Sequence, residues 1–408
     1  MNPVLGYTPG SIAEPMTRAR VKVLFVINKL GEQGGAERFT LGLAANLPRD
    51  RVEPWVCVTR SATEGALRML SEAGVPCVVL DRRTRWQSHR MLGLARLLRR
   101  EHFDVVHTHM FGSNLWGTVM GRVTGVPVLI AHEHTWSFEG NPARVWADRH
   151  IIGRLATRFV AVSSPDAERM VKHEGVPAEK VVVMPTGYVP RRPGNGNIRA
   201  ELGLADGVPL VATAAVLRPQ KAIDVLLDAF ALVLERIPDA HLVIAGDSMM
   251  RADGRRDPLR RTLEERAREL GVAESVHFLG VRDDVDAILR AADAAALSSD
   301  FEGSPLFVFE CMAHGTPIVS TAVGGIPDVI EDAVSGVLVP RRDPRALAAG
   351  LADVLADPHR RVALSAAARL RVGEFTIDSV AGRFADLYEE LTPSHGASRA
   401  TARSAAAR

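Results

Sequence analysis

The sequence predicts an α/β protein of two doubly wound, Rossmann-like domains facing each other across a cleft. Three observations predict it. Short β-branched apolar runs alternate with helix-period stretches almost throughout. This rhythm breaks once, in the Pro-, Gly- and Asn-rich stretch 184–197, and then restarts. The length, 408 residues, suits two ordinary domains better than one.

The elements follow in order. VKVLFVI (21–27) is a strand whose lack of alternation marks burial on both faces. After a Gly-rich turn come helical AERFTLGLAANL, strand PWVCVT, helix GALRMLSEAG, strand CVVL, helix HRMLGLARLLRREH and strand DVVHTH. Helix NLWGTVMGRVTG and strands PVLIAH and FVAVS complete the first half. The second half runs PLVATAAV (strand), AIDVLLDAFALVLERI (helix), HLVIAGD (strand), LRRTLEERARELG (helix), VHFLG (strand), VDAILRAA (helix) and AAALSS (strand). It closes with DFEGSPLFVFECMAHG, strand PIVSTAV, helix IPDVIED and strand GVLVP. The boundaries are a disordered leader at 1–19, a first domain at 20–187, a linker at 188–197 and a second domain at 198–375. A helix at 376–392 is placed to cross back to the first domain, and 393–408 is a disordered Ser/Ala/Arg-rich tail.

Composition removes several function classes. A net charge of +2 argues against bulk nucleic-acid binding. The three cysteines, Cys57, Cys77 and Cys311, are too few and too scattered for a disulfide framework or a zinc knuckle, and they suit a reducing cytoplasm. No apolar run approaches the roughly 20 residues of a membrane span. Ligands of doubly wound sheets bind at the carboxyl ends of the strands, so the natural site is the cleft between the two sheets.

One segment concentrates chemistry there. In DFEGSPLFVFECMAHG, Ser304 and Pro305 suit the first turn of a helix and Gly315 suits its end. Gly303 and Ser304 therefore sit where free backbone N–H groups and a positive dipole end can meet an anion. Glu302 lies just outside this helix and Glu310 about one turn inside it. A carboxylate beside phosphates repels them, so Glu310 is better suited to accept from hydroxyls such as a ribose diol.

Glu302 to Glu310 resembles the E-x7-E motif of the retaining GT-B glycosyltransferases of family 4 (group 1). RPQKAIDVLL, LVIAGD, VHFLGVRDDV and PIVSTAVGGIPDVIEDAVSGVLVP resemble that family's blocks in order. GGAER (34–38), DVVHTHMF and IAHEH resemble its N-terminal loop and strand ends. The likeness spans roughly 20–392 and is stronger in the second half.

The resemblance implies an enzyme that moves a sugar from a UDP- or GDP-sugar to a hydroxyl acceptor with retention, in cell-envelope glycan, glycolipid or polysaccharide synthesis. It places Glu302 and one histidine at the donor sugar, Glu310 at the ribose and Lys221 at the leaving diphosphate. Backbone N–H groups of Gly303, Ser304 and Leu306 would meet the diphosphate, Gly34 and Gly35 would approach it closely, and base contacts would lie near Val281 and Arg282. The family commonly carries an arginine where this chain has Val216, and Arg218 is the candidate substitute; the usual glycine after the lysine is Ala222. His134 aligns better than His132 with the family histidine. The pattern implies no metal and no cofactor besides the nucleotide-sugar co-substrate. The pairs His107/His109 and His132/His134 put rings on one strand face, but no carboxylate or cysteine cluster accompanies them.

A basic stretch from Arg82 to Arg100 holds seven arginines and no acid. It is open to two readings: peripheral contact with the inner membrane face, as a lipid-linked acceptor would require, or a solvated helix. Three rival functions remain. A UDP-sugar 2-epimerase would turn over its substrate without an acceptor. A non-catalytic sugar-nucleotide-binding protein would bind without transfer, and Val216 keeps it open. A dinucleotide dehydrogenase is disfavoured because no G-x-G-x-x-G follows VKVLFVI.

Overall fold

The computed structural model describes residues 20–32, 34–84, 87–134, 141–190, 194, 196–249, 257–304 and 306–392. The leader, the tail and Pro305 lie outside the described residues. Two parallel sheets form the chain. The first has the order β3-β2-β1-β4-β5-β6-β7, from β1 (Val21–Leu30), β2 (Val52–Ala62), β3 (Cys77–Val79), β4 (Val105–His109), β5 (Val128–Glu133), β6 (Arg158–Ala161) and β7 (Val181–Val183). The second has the order β10-β9-β8-β11-β12-β13, from β8 (Leu210–Ala214), β9 (His241–Ala245), β10 (Val276–Gly280), β11 (Ala294–Leu297), β12 (Ile318–Thr321) and β13 (Val337–Val339). The predicted α/β class of two Rossmann-like domains is what the chain forms.

β1 shows why its sequence lacks alternation. Phe25 and Ile27 join one core, beneath the Gly35–Asn46 helix, while Leu24 and Val26 join another beneath the Met91–Glu101 helix. Both faces are covered, so both parities are apolar. In each sheet the strand order reverses beside the first strand of the domain, β1 or β8, and the loops that leave those strands head for the cleft.

The helix Ile377–Leu391 returns to the first domain. Its buried face, including Ile377, Val380, Phe384, Leu387 and Tyr388, shares a core with β1, β2 and the Gly35–Asn46 helix. Burying an aromatic such as Phe384 contributes roughly 2–3 kcal/mol. Arg51 clamps the far end of this helix through Asp386 (2.7 Å) and Glu389 (3.0 Å). The outgoing and returning chains run side by side: Tyr188 N–H donates to the Phe375 carbonyl (2.6 Å) and Ile377 N–H to the Tyr188 carbonyl (2.9 Å).

Several elements carry signals that the strand-and-helix reading passed over. β7 is only three residues long. The region between β5 and β7 holds two π-helical turns, Asp148–Ile152 and Met170–Glu174. Two helices follow β13, Pro344–Ala356 and Pro358–Arg371, each opened by an aspartate cap and a proline.

Candidate active site

Lys221 and Glu302 meet at the carboxyl ends of the second sheet. Lys221 Nζ lies 2.5 Å from Glu302 Oε1, and Ser299 Oγ donates to the same oxygen at 2.5 Å. Both Lys221 and Glu302 are largely buried. The short turn Pro219–Lys221 positions the lysine, and Ser298 Oγ fastens it by donating to the Lys221 carbonyl (2.9 Å). Gln220 ties the same turn to the glutamate's loop, donating from Nε2 to the Phe301 carbonyl (2.9 Å).

The glutamate's backbone is pinned from behind. Gly324, at φ +53°, lies so close that a Cβ there would strike the Glu302 carbonyl. A glycine is therefore required twice over, by conformation and by contact. Gly303 faces the first domain, and a Cβ on it would stand 2.5 Å from the His134 carbonyl. The strand end that carries His134 thus reaches the second-domain loop that carries Glu302.

The Leu306–His314 helix follows, and it ends as its sequence indicates. Gly315 adopts φ +71°, and Thr316 N–H donates back to the Cys311 carbonyl (2.9 Å). Ser304 Oγ accepts from Thr186 N–H (3.3 Å), another tie between the domains. Glu310 is buried, and its partner comes from the first domain: Arg38 NH1 lies 3.0 Å from Glu310 Oε1, with the two side chains 12% and 5% exposed. Gly35 stands against Leu306, with an added Cβ 3.9 Å from the leucine Cδ1. Gly34 caps the Gly35–Asn46 helix through extended backbone.

Arg218 and Arg282 stand apart from the Lys221–Glu302 pair. Arg218 is exposed, and its Nε donates to Met249 Sδ (2.9 Å). Val216 is 48% exposed beside it. Arg282 is bound on both sides by Asp284 and Glu201 (each 2.8 Å), and these carboxylates hold its guanidinium above its usual pKa. No described side chain therefore brings a second-domain arginine to that pair.

The four strand-end histidines form a buried stack. His107 Nδ1 is hydrogen-bonded to Tyr388 Oη (2.6 Å), His107 Nε2 to His132 Nδ1 (3.1 Å), and His109 Nδ1 to His134 Nε2 (2.9 Å). Phe25, Phe39 and Phe384 wall them in. Burial pushes His107 and His134 down to about 3 and His109 and His132 well below their usual value, so the rings are neutral. His132 is fully buried, whereas His134 has an edge at the cleft. Nitrogens of His107, His109 and His132 lie within 4.8 Å of one another, a spacing from which a transition metal could draw ligands. Most of these nitrogens are already engaged with each other or with Tyr388. Among the described residues, His109 Nε2 and His132 Nε2 are buried atoms of this stack without a hydrogen-bond partner.

On the other face of β5 lies a buried charge cluster that sequence reasoning missed. Glu133 accepts from Asn114 Nδ2 (2.8 Å) and from Arg144 (3.0 Å), and Asp148 lies 3.6 Å from Arg144. Burial chiefly, with Glu174 nearby, pushes Glu133 up to about 7 despite Arg144, and Asp148 up to about 8. The HEH triplet held the signal: alternation sends its glutamate to the face opposite the histidines.

At the carboxyl ends of β2 and β3, Arg82 and Arg60 stand together. Arg82 has a lowered pKa, from burial and from the neighbouring charge of Arg60, and its Nε has no hydrogen-bond partner among the described residues. Further along the basic stretch, Arg83 pairs with Asp81 and Arg100 with Glu101, while Arg96 and Arg99 stay outside any ion pair among the described residues.

Residues 33–192 match the family described as Glycosyltransferase Family 4, and residues 195–371 match Glycosyl transferases group 1. The chain is 33% identical over 401 residues to the D-inositol 3-phosphate glycosyltransferase of Geodermatophilus obscurus, covering 91% of this chain and 85% of that one. The enzyme of the same name from Thermobispora bispora is 30% identical over 393 residues, covering 91% and 89%. Among solved structures, Anabaena Alr3699/HepE in complex with UDP and glucose superposes with a TM-score of 0.78 at 20% identity, covering 91% of this chain and all of that one. Sucrose-phosphate synthase from Thermosynechococcus elongatus gives 0.73 at 21% identity, covering 92% and 100%. Fold and cleft define a GT-B glycosyltransferase that uses a nucleotide-sugar donor. The chain belongs to the family 4 (group 1) glycosyltransferases and is an enzyme of the hexosyltransferase type.

Proposed function

We propose that this enzyme transfers a sugar from a UDP-sugar to a hydroxyl of a phosphorylated polyol, with retention and without a metal. The observation that carries the reading is the Lys221–Glu302 pair at the start of the Leu306–His314 helix, facing His134. Lys221 offsets the charge that develops on the departing diphosphate, helped by the helix start. Glu302 orients the sugar hydroxyls and Glu310 the ribose. The acceptor oxygen attacks on the face from which the diphosphate leaves.

Retention is supported by the state of the two groups that flank the site. His134, with a pKa near 3, is too weakly basic for efficient proton removal at neutral pH, and Glu302 is engaged with Lys221 and Ser299. Lys221 and the helix dipole supply positive charge without an ion. A phosphorylated acceptor is supported by Arg82 and Arg60, two crowded cations at the first domain's strand ends. It is supported also by relatives named for D-inositol 3-phosphate. A UDP base is supported by the Anabaena complexes with UDP and UDP-glucose.

Peripheral membrane contact is a second reading. Leu92 is 55% exposed on the same helix as Arg96 and Arg99. No helix among the described residues is long and apolar enough to cross a membrane. Sedimentation with anionic vesicles separates the two: binding selects the membrane reading, and a clear supernatant selects the solvated helix.

The main test is a thermal-shift panel of UDP- and GDP-sugars, followed by transfer to inositol phosphate in EDTA with the product anomer read by NMR. A UDP-sugar is expected to stabilise the protein, and Glu302→Gln to lower kcat at least a hundredfold. Arg82→Ala is expected to raise acceptor KM and leave donor KM unchanged. No stabilisation by any nucleotide, or an inverted product, defeats the proposal.

A further inference from the structure

We propose that Arg38 is a donor-site residue supplied by the first domain. Its guanidinium bridges Glu310 and the diphosphate of the donor, taking the place of the cation that the second domain lacks at Val216. The inference rests on the donor-site reading above.

The register of the two helices places it. Gly35 and Arg38 are three residues apart and share one helical face. Gly35 meets Leu306, the first described residue of the second-domain helix, and Arg38 meets Glu310 one turn further in. The helices therefore approach start to start. Both positive dipole ends converge on one spot, and Arg38 lies within about 5–6 Å of them along either axis.

Charge explains why an arginine belongs there. Among the described residues Lys221 is the one second-domain cation brought to Glu302, since Arg218 turns to Met249 and Arg282 is held by Asp284 and Glu201. One lysine offsets only part of the charge on a leaving diphosphate. Glu310 adds to the problem, because a carboxylate close to phosphates repels them. A guanidinium between the two solves both. It carries five N–H donors in a fixed fork, of which NH1 reaches Glu310 and NH2 the Val189 carbonyl (3.5 Å), and a phosphate oxygen would enter this fork in the donor complex. A buried ion pair is a weak source of stability, so its presence between the two domains calls for another use. Because Arg38 comes from the opposite domain, the diphosphate is read only when the domains close.

The sequence lets this be tested by relocation. Calorimetry would compare UDP, UMP and uridine binding to wild type, Arg38→Gln, and Arg38→Gln with Val216→Arg, using the guanosine series if wild type prefers GDP. Arg38→Gln is expected to weaken UDP at least tenfold and uridine less than threefold. Val216→Arg is expected to return most of the UDP affinity. A second comparison, Arg38→Gln in a Glu310→Gln background, removes the charge at position 310 as a source of misfolding, and UDP is expected to weaken there too. An unchanged ratio of UDP to uridine affinity overturns the role of Arg38 and leaves the donor site standing. Failure of wild type to bind any of these nucleotides overturns the donor site itself.

Discussion

Ala222 carries a local cost beside the catalytic lysine. It is buried at φ +47°, ψ +44°, the left-handed region, where a Cβ costs roughly 1–2 kcal/mol. The bend is needed: Lys221 N–H donates to the Arg218 carbonyl (2.9 Å), Ala222 N–H donates to the Pro219 carbonyl (3.0 Å), and the helix Ile223–Arg236 starts at once. This turn aims Lys221 at Glu302. The family resemblance implies a glycine there. Ala222→Gly is therefore expected to stabilise the protein by about 1 kcal/mol, net of the added backbone freedom in the unfolded chain. Urea denaturation measures it, and a loss of stability would show that the buried methyl outweighs the strain. The same scale shows what sequence could reveal. Glu302, Lys221 and Gly303 lie in short motifs whose spacing places them. Arg38 sits in an equally plain motif, GGAER, but its partner Glu310 is 272 residues away, and no local pattern encodes that contact. His132 and His134 share strand parity, so the residue pattern alone does not part them; the family resemblance favoured His134, and in the structure they differ in burial.

At the scale of elements, buried strands and amphipathic helices were legible because period and burial agree. The π-helical turns Asp148–Ile152 and Met170–Glu174 were not, since their widened turns break the 3.6-residue period. The two helices after β13 were signalled by Asp343-Pro344 and Asp357-Pro358, cap and first-turn residues with few large apolar residues behind them. The π-helical turns hold acids in the interior. Asp148 is pushed up to about 8, chiefly by burial and then by Glu174 and Glu133. The folded form keeps a proton that the unfolded chain releases near pH 3.8, so this residue lowers stability progressively as pH rises from 3.8 to 8. Asparagine has no such proton. The stability gained in Asp148→Asn is expected to grow by about 1.4 kcal/mol per pH unit between pH 5 and pH 8, then level off. Any constant loss from weaker contact with Arg144 shifts the curve without changing its slope. A difference that stays flat with pH would show that Asp148 is ionised in the folded protein.

The whole molecule is joined where Tyr188 and the Phe375–Ile377 segment pair, so one place serves both crossings between domains. Beyond it, the returning helix closes the histidine stack, with Tyr388 Oη hydrogen-bonded to His107. This joins the integrity of the first domain to pH. His107 is pushed down to about 3, by burial first and then by His134, while its unfolded value is near 6.5. Its contribution to stability is whole above about pH 6.5 and is lost as pH falls toward 3, because the unfolded chain takes the proton first. His109, His132 and His134 act in the same direction. Glu133 and Asp148 act in the opposite direction, since protonation suits their folded form. The net profile of the wild type thus mixes two signs, and a difference measurement isolates one. His107→Gln keeps a polar side chain beside Tyr388 and removes the titration. It is expected to be less stable than wild type at pH 7.5, with the gap narrowing by about 2 kcal/mol by pH 5. Urea unfolding followed by tryptophan fluorescence at half-unit steps reads the gap directly. If the gap stays constant, His107 does not resist protonation, and the stack does not make the first domain acid-sensitive.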